Sequence, residues 1–353
     1  MVSRPENSNL GHFSQESPLE QIHIATVNVR NGHQWSPPAD PKNVFAEKPW
    51  SERKSRLVDA LLSTGPLDIL GCQEVFHDQL EDLQELLGET YSHVGSGRDD
   101  GKQGGEYSPI FFDRTKFELV RWGTMWLSRT PNVPGSKGWD AALPRIATLL
   151  TLRYKNKDKG GELVHAVNTH YDHLGVRARA ESSLLIRSAI WHWVHDVERK
   201  EKPPVVAPVV FFGDFNSPPQ EDGYKNITSL HPLPSGQPSF TFLDSFTNLL
   251  TSSSSSASAF STIIPLQTRP YGPHLTYTDF APPGARNATR IDFVMLGAEV
   301  DSNDPSKRGK SRGGWTVVRY ACVDNWVEGD MEGWNGRWSD HRAVRVTIAK
   351  RKE

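Results

Sequence analysis

Cysteine is nearly missing from this chain of 353 residues, with Cys72 and Cys322 its only two. They stand far apart in sequence and have no metal-ligand spacing, which argues against a disulfide framework or a zinc knuckle. An excess of positive charge is missing too. The 40 Lys and Arg face 42 Asp and Glu, for a formal net charge of -2. No global positive field is therefore available to grip a long duplex through its phosphates, and a nucleic-acid partner would be short or single-stranded and held locally. No apolar run reaches the roughly eighteen residues that a membrane-spanning helix needs. The polar opening from Met1 to Gln21 lacks the apolar core of a secretory signal, so an intracellular, cytoplasmic location is expected. Asn226 and Asn287 begin glycosylation-type triplets of a kind common by chance.

What is present is enough to build a large core: 36% of residues are hydrophobic and eleven are tryptophan. Residues 1–20 read as a flexible lead-in to one domain over 21–350, with a serine-rich surface insertion near 251–262. Ile22–Val29 alternates as a strand. Trp50–Leu62 carries helical spacing and stops at Gly65-Pro66. Leu67–Cys72 and Val209–Phe212 are short continuous apolar runs suited to buried strands. His77–Leu87 stacks Leu80, Leu83, Leu86 and Leu87 on one side of a helix. A second long helix is predicted over Val176–Val194, with Ile186, Ala189, Ile190, Trp193 and Val194 as its buried stripe. Further strands are expected at Tyr91–Gly95, Ser108–Phe112, Phe117–Leu127, Ile146–Arg153, Leu163–Asn168, Arg290–Leu296, Trp315–Val323 and Ala343–Ile348. This mixture suggests two packed sheets with helices outside.

The polar oddities gather where apolar strands end, the usual place for a site on a rigid scaffold. Asn28 closes the first strand, Glu74 follows Leu67–Cys72, and His170 ends Val164–His170. Asp214 and Asn216 follow Val209–Phe212, and Asp340-His341 precede the last strand. Asp292 sits inside an apolar strand, where an unpaired carboxylate is costly, and His341 is its most economical partner. Oxygen donors of this kind favour a hard cation, Mg²⁺ or in its place Mn²⁺, rather than zinc. A hard cation beside an Asp–His pair fits attack of water on phosphorus.

The ordered set Thr26-Val-Asn28-Val, Gln73-Glu74, Asn168-Thr-His170, Gly213-Asp-Phe-Asn216, Arg290-Ile-Asp292 and Ser339-Asp-His341 resembles the motifs of the endonuclease/exonuclease/phosphatase superfamily. That resemblance covers about residues 22 to 350. It implies a DNase I-like α/β fold, a four-layered sandwich of two mixed sheets flanked by helices. It implies Glu74 as principal metal ligand, with Asn28 and Asp340 close by. Asp214, helped by Asn216, would orient or deprotonate the attacking water. His341, held by Asp292, would contact the scissile phosphate, and His170 would donate to a phosphate oxygen. A histidine at 170 is similar to the deadenylase, DNase and sphingomyelinase branches. A 3′–5′ exonuclease of single-stranded RNA is accordingly expected, although the Gly97–Gly105 loop departs from the deadenylase pattern.

Two alternatives stand beside that expectation. A phosphatase or phosphodiesterase of a small metabolite or lipid headgroup would use the same site, and a narrow pocket would favour it over an open groove. A non-catalytic binding protein would need a broken site, and none of the six motifs is broken. Arg98, within Gly97-Arg-Asp-Asp-Gly, is a candidate phosphate clamp or a solvated hairpin tip. Glu106 and Tyr107 lie near enough in sequence to approach the metal or substrate. Asp172 and His173 could support His170. Trp35, Trp139, Trp334 and Trp338 could stack on a base or pack internally. Lys307, Arg308, Lys310 and Arg312 form a basic loop, either solvated or touching a nucleic-acid backbone.

Overall fold

Strands whose residues are apolar on both faces need cover on both faces, and that requirement organises this molecule. The computed structural model describes residues 19–40, 42–155, 161–284, 288–300 and 309–351. One six-stranded sheet has the order β11-β14-β1-β2-β4-β3, built from β1 (Leu19–Asn28), β2 (Ile69–Gln73), β3 (Tyr91–Val94), β4 (Ile110–Asp113), β11 (Thr316–Val323) and β14 (Ala343–Arg351). The other has the order β5-β6-β7-β8-β10-β9, from β5 (Phe117–Trp126), β6 (Ile146–Tyr154), β7 (Leu163–His170), β8 (Val209–Asp214), β9 (Phe240–Asp244) and β10 (Asp292–Glu299). Each sheet has one parallel pair at its centre, β1 with β2 and β7 with β8, and both are mixed. A two-stranded ribbon, β12 (Trp326–Glu328) with β13 (Asn335–Arg337), stands apart.

The sheets face each other across a core that includes Ile24, Ile69, Ile110 and Phe112 from one and Leu150, Val164, Val210 and Phe212 from the other. Approach is close at Gly71, where a Cβ would lie 2.2 Å from the Phe212 ring. Helices α1 (Trp50–Ser63) and α2 (His77–Leu87) cover the outer face of the first sheet with Leu57, Leu61, Leu80 and Leu83. Helix α3 (Val176–Glu198) covers the second with Ile186, Ile190 and Val194. Four layers result, as the sequence implied.

Differences from the expected elements are local. The first strand starts earlier, at Leu19, and the long helix continues one turn past Val194 to Glu198. Helix α4 (Asp222–Thr228), β9 and the β12–β13 ribbon were not predicted. Each is short, so periodicity has too few residues to declare itself. Within the serine-rich segment, α5 (Ser258–Ser261) seats Phe260 against Leu19, Leu250 and Val318, so an apolar contact anchors it.

Candidate active site

Strand polarity places the site. Asn28 ends β1, His170 ends β7 and Asp214 ends β8, while β10 and β14 run antiparallel to their neighbours and so begin at that same end. The register sets Asp292 opposite Asp214 and His170 beside Asp214. Glu74 and Asp340-His341 lie in the tight connections just after β2 and before β14. Backbone conformation then aims the groups. Glu74 and Asn216 both adopt left-handed backbone angles, φ 58° and 44°, which are uncommon without glycine and concentrate at functional sites. Gly213 has φ 143° and lies so close to Thr169 that a Cβ would meet its carbonyl oxygen at 2.0 Å. Only glycine fits there, immediately before Asp214.

A buried hydrogen-bond network joins the sheets beneath the site. Gln73 Nε2 donates to Asn168 Oδ1 at 2.7 Å, and Asn168 Nδ2 donates to the Cys72 and Pro109 carbonyls, both at 2.8 Å. Asn28 Nδ2 bridges the sheets directly, donating to Glu74 Oε1 at 2.9 Å and Asp214 Oδ2 at 3.0 Å. Its amide oxygen accepts from the Arg30 N–H at 2.9 Å. Asn28 therefore turns its nitrogen, not its oxygen, toward the two carboxylates. Asn325 Nδ2 pins the loop before β14 by donating to the Ser339 and His341 carbonyls.

His341 Nδ1 donates to Asp292 Oδ2 at 2.8 Å, and its Nε2 lies 3.6 Å from Asp214 Oδ2. Burial opposes the charge on this ring, but Asp292, Asp214 and Asp340 together hold its pKa well above the usual value. Asp214 is pushed up to about 7 by burial and by the Asp292 charge, against the pull of His341 and hydrogen bonds from Asn216 and Asn28. Asp340 is pushed up to about 6 by burial, with Glu74 adding to the rise and His341 opposing it. Glu74 goes the other way: burial works against its charge, yet donations from Asn28 and the Asn31 N–H lower it.

Which of these groups suits a cation follows from their partners. Asp214, Asp292 and His341 offer three ligand atoms within 4.8 Å of one another. Both nitrogens of that imidazole face carboxylates, and a protonated ring has no lone pair for a metal. The trio is an ion cluster. Glu74 and Asp340 face the pocket alongside Asp214 and His341, and among the described residues the Asp340 carboxylate accepts only one hydrogen bond, from Ser339 Oγ at 3.3 Å. The buried Asp340 carboxylate, disfavoured by the partly buried Glu74 carboxylate beside it, leaves oxygen lone pairs to spare, and the pair fits a hard divalent cation.

His170 Nε2 faces Asn216 Nδ2 at 3.0 Å, and that same amide nitrogen donates to the Tyr171 carbonyl at 3.1 Å. The imidazole nitrogen must then accept, which leaves the proton on Nδ1, 3.9 Å from Glu106 Oε2. Burial, with Arg145 and Arg98 nearby, holds the His170 pKa well below its usual value. The ring is neutral and spends its outward-facing lone pair on Asn216.

A pocket of about 420 Å³ opens over these groups, lined also by Arg30, Glu106, Arg145, His173 and Tyr277. Arg98 is not among its walls. It is buried behind Glu106 and bonds Glu106 Oε2 at 2.5 Å, so it is neither a solvated tip nor in contact with the cavity. Arg145, which the sequence did not single out, lines the pocket instead. Trp334 and Trp338 are buried in the α1–α2 layer, and Trp35 donates its indole N–H to the Glu47 carbonyl. Trp139 is half-buried, and none of the four lines the pocket. Arg312 is 3% exposed and paired with Glu198 and Glu299, which removes it from any nucleic-acid surface. Lys310 is exposed, and Lys307, Arg308 and Asn287 lie outside the described residues.

A model of the endonuclease/exonuclease/phosphatase family matches residues 25–341. Among solved structures, a Bacteroides vulgatus protein of that description is 27% identical, covering 93% of this chain and 98% of its own, with a TM-score of 0.66. A mannosyl-6-phosphatase from Bacteroides thetaiotaomicron is 28% identical over 93% of this chain and 99% of its own, with a TM-score of 0.65. The catalytic domain of human Nocturnin shares the fold at 19% identity, covering 94% and 95%, with a TM-score of 0.56. No curated protein matches the sequence.

Proposed function

This chain belongs to the endonuclease/exonuclease/phosphatase family, and from that premise we propose a divalent-cation-assisted hydrolase that removes phosphate from a small phosphorylated molecule, a sugar phosphate being the leading class. The observation that carries the small-substrate reading is the pocket. It measures about 420 Å³, most of its described lining residues are polar or charged, and Tyr277 is the one Phe, Tyr or Trp ring among those described residues. Tracking a single strand calls for a series of stacking rings along a basic groove. A relative 28% identical over nearly the whole chain carries the description mannosyl-6-phosphatase, which agrees. Stepwise 3′–5′ shortening of single-stranded RNA would use the same floor and remains the second reading, supported by the histidine at 170.

In the proposed reaction Glu74 and Asp340 hold Mg²⁺ or Mn²⁺, with Asn28 fixing the Glu74 carboxylate from the side. A cation held there would supply charge neutralisation on the phosphoryl oxygens. Asp214 orients the attacking water and takes its proton; with a pKa near 7, its affinity for a proton suits a general base at neutral pH. The Asn216 N–H, 2.8 Å from Asp214 Oδ1, fixes the rotamer of that base. His341 donates from Nε2 to a phosphoryl oxygen while Asp292 holds Nδ1. His170 reaches a phosphate oxygen as a donor only by turning its ring and releasing Asn216.

The test is a panel of mannose 6-phosphate, other sugar phosphates, inositol phosphates, sphingomyelin and poly(A) RNA with Mg²⁺, Mn²⁺ or EDTA. Wild type is compared with Asp214→Asn. Cation-dependent phosphate release from a sugar phosphate is expected, with kcat in the variant lower by about 10²- to 10⁴-fold. Shortening of RNA with no release from any small substrate would overturn the substrate and keep the chemistry.

A further inference from the structure

The catalytic floor leaves one wall of the pocket without a role. That wall is made by Leu143 and Arg145, at the entry to β6, and by His173, in the turn before α3. Arg145 is 5% exposed and rigidly held. Its Nε donates to Asp172 Oδ2 at 3.3 Å, and its terminal NH2 group lies 3.0 Å from His173 Nδ1. Asp172 is itself fixed by the N–H groups of Leu143, Leu174 and Gly175. The remaining terminal nitrogen of Arg145 has no hydrogen-bond partner among the described residues, and a Glu106 carboxylate oxygen is 4.0 Å away.

This geometry sets the tautomer of His173. A guanidinium only donates, so Nδ1 must accept and the proton must sit on Nε2. His173 is exposed at the mouth of the pocket, and its Nε2 bonds no described residue. The wall thus offers one buried cationic donor with an unspent N–H and one exposed neutral donor of fixed tautomer. It offers no acceptor from either side chain.

Resting on the phosphatase reading above, we propose that Arg145 and His173 form a recognition subsite for a second oxyanion of the substrate, separate from the phosphate that is cleaved. A donor-only pair selects a group that only accepts, a phosphate or a carboxylate, over a hydroxyl. Arg145 supplies the charge, Asp172 aims it, and His173 completes the contact at the rim. The preferred substrate is then a bisphosphate or a phosphorylated acid rather than a simple monophosphate.

The test uses the full chain with Mg²⁺ and the matched pair fructose 1,6-bisphosphate and fructose 6-phosphate, following phosphate release. Wild type is expected to favour the bisphosphate in kcat/KM. His173→Ala, at an exposed position that leaves the core intact, should reduce that preference by about tenfold, mainly through KM, as loss of a hydrogen bond to a charged group predicts. His173→Gln, which keeps an amide donor, should restore part of it. Arg145→Lys, which retains the charge without the fork, should also weaken the preference. An equal loss on both substrates, or a wild-type enzyme indifferent to the second phosphate, overturns the subsite while leaving the phosphatase reading intact. Failure of wild type to release phosphate from either sugar, with RNA shortened instead, overturns the underlying reading and the subsite with it.

Discussion

Strands β8 and β10 pair antiparallel, and each end of the pair holds a buried cluster of charges. At one end stand Asp214, Asp292, His341 and Asp340 with Glu74. At the other, Arg312 sits between Glu198 at the end of α3 and Glu299 at the end of β10. The Arg312 cluster is satisfied: terminal nitrogens of Arg312 reach both Glu198 oxygens at 3.0 and 2.9 Å and the Ala207 carbonyl at 2.9 Å. Its Nε donates to Glu299 at 2.7 Å. The other end has one imidazolium against several carboxylates, and Asp292 Oδ1 accepts no hydrogen bond from the described residues. Arg312 and Glu198 are about as buried as Asp214, Asp292 and His341, so burial does not separate the two ends. What separates them is whether each charge has its partner inside the chain, and the end that lacks partners is built to receive them from outside.

That contrast is broken most directly at the satisfied end. Arg312→Ala leaves Glu198 buried without its main partner, and the expected loss is about 3–5 kcal/mol of unfolding free energy. Urea denaturation followed by circular dichroism measures it. A loss below about 1 kcal/mol would mean that Glu198 finds water or His165 instead, and the two ends would no longer differ in kind.

At the other end the sign reverses. Asp340→Asn removes a carboxylate that burial and Glu74 already disfavour, so the cation-free protein should gain about 0.5–2 kcal/mol. The same substitution should abolish the rise in melting temperature produced by Mg²⁺ in wild type. Destabilisation of the cation-free variant would show that Asp340 supports the fold and would remove it from the ligand set.

The two ends also differed in how far the sequence announced them. Asn28, Glu74, His170, Asp214, Asp292 and His341 were readable because polar residues interrupt apolar strands at their ends, a conflict with burial that a single chain displays. Their convergence followed from strand direction together with the tight connections that hold Glu74 and His341. Arg312 was read within a basic loop, because a charged residue among Lys310, Arg308 and Lys307 looks solvated until its tertiary partner is known. Glu198 lies in the helix turn that the periodicity of Ile186–Val194 did not reach. Arg145 was silent for the same reason: its partner Asp172 is 27 positions away, on another strand end. Arg98 erred in the opposite direction, since a glycine-rich loop implied exposure and Glu106 drew the guanidinium inward. Hydrophobic period fixes which face is buried, but the pairing of charges inside depends on contacts distant in sequence.

Both ends can also be read in a single titration. In the presence of EDTA, Asp214 and Asp340 bind protons more tightly folded than unfolded, with values near 7 and 6 against an ordinary 3.8. These two groups therefore carry more protons in the folded state between about pH 7 and 4, and their contribution to stability rises as pH falls through that window. Glu198 is the reverse. Burial opposes its charge, but His165, Arg312 and the Ala207 N–H hold it down at about 2, against an ordinary 4.5. Its contribution is complete above pH 4.5 and is lost as pH falls toward 2. The neutral His170 ring opposes the gain below about pH 6.5, but the two raised carboxylates outnumber it, so melting temperature without cation should climb from pH 8 to about 5 and decline below about 4.5. Asp340→Asn should make the upper limb shallower, leaving the share of Asp214, and should leave the lower limb unchanged. Saturating Mg²⁺, which favours the ionised carboxylates, should flatten the upper limb in wild type as well. A wild-type curve in EDTA that is level from pH 8 to 5 would mean that the site's carboxylates already have their partners, and the contrast between the two ends of β8 and β10 would fail.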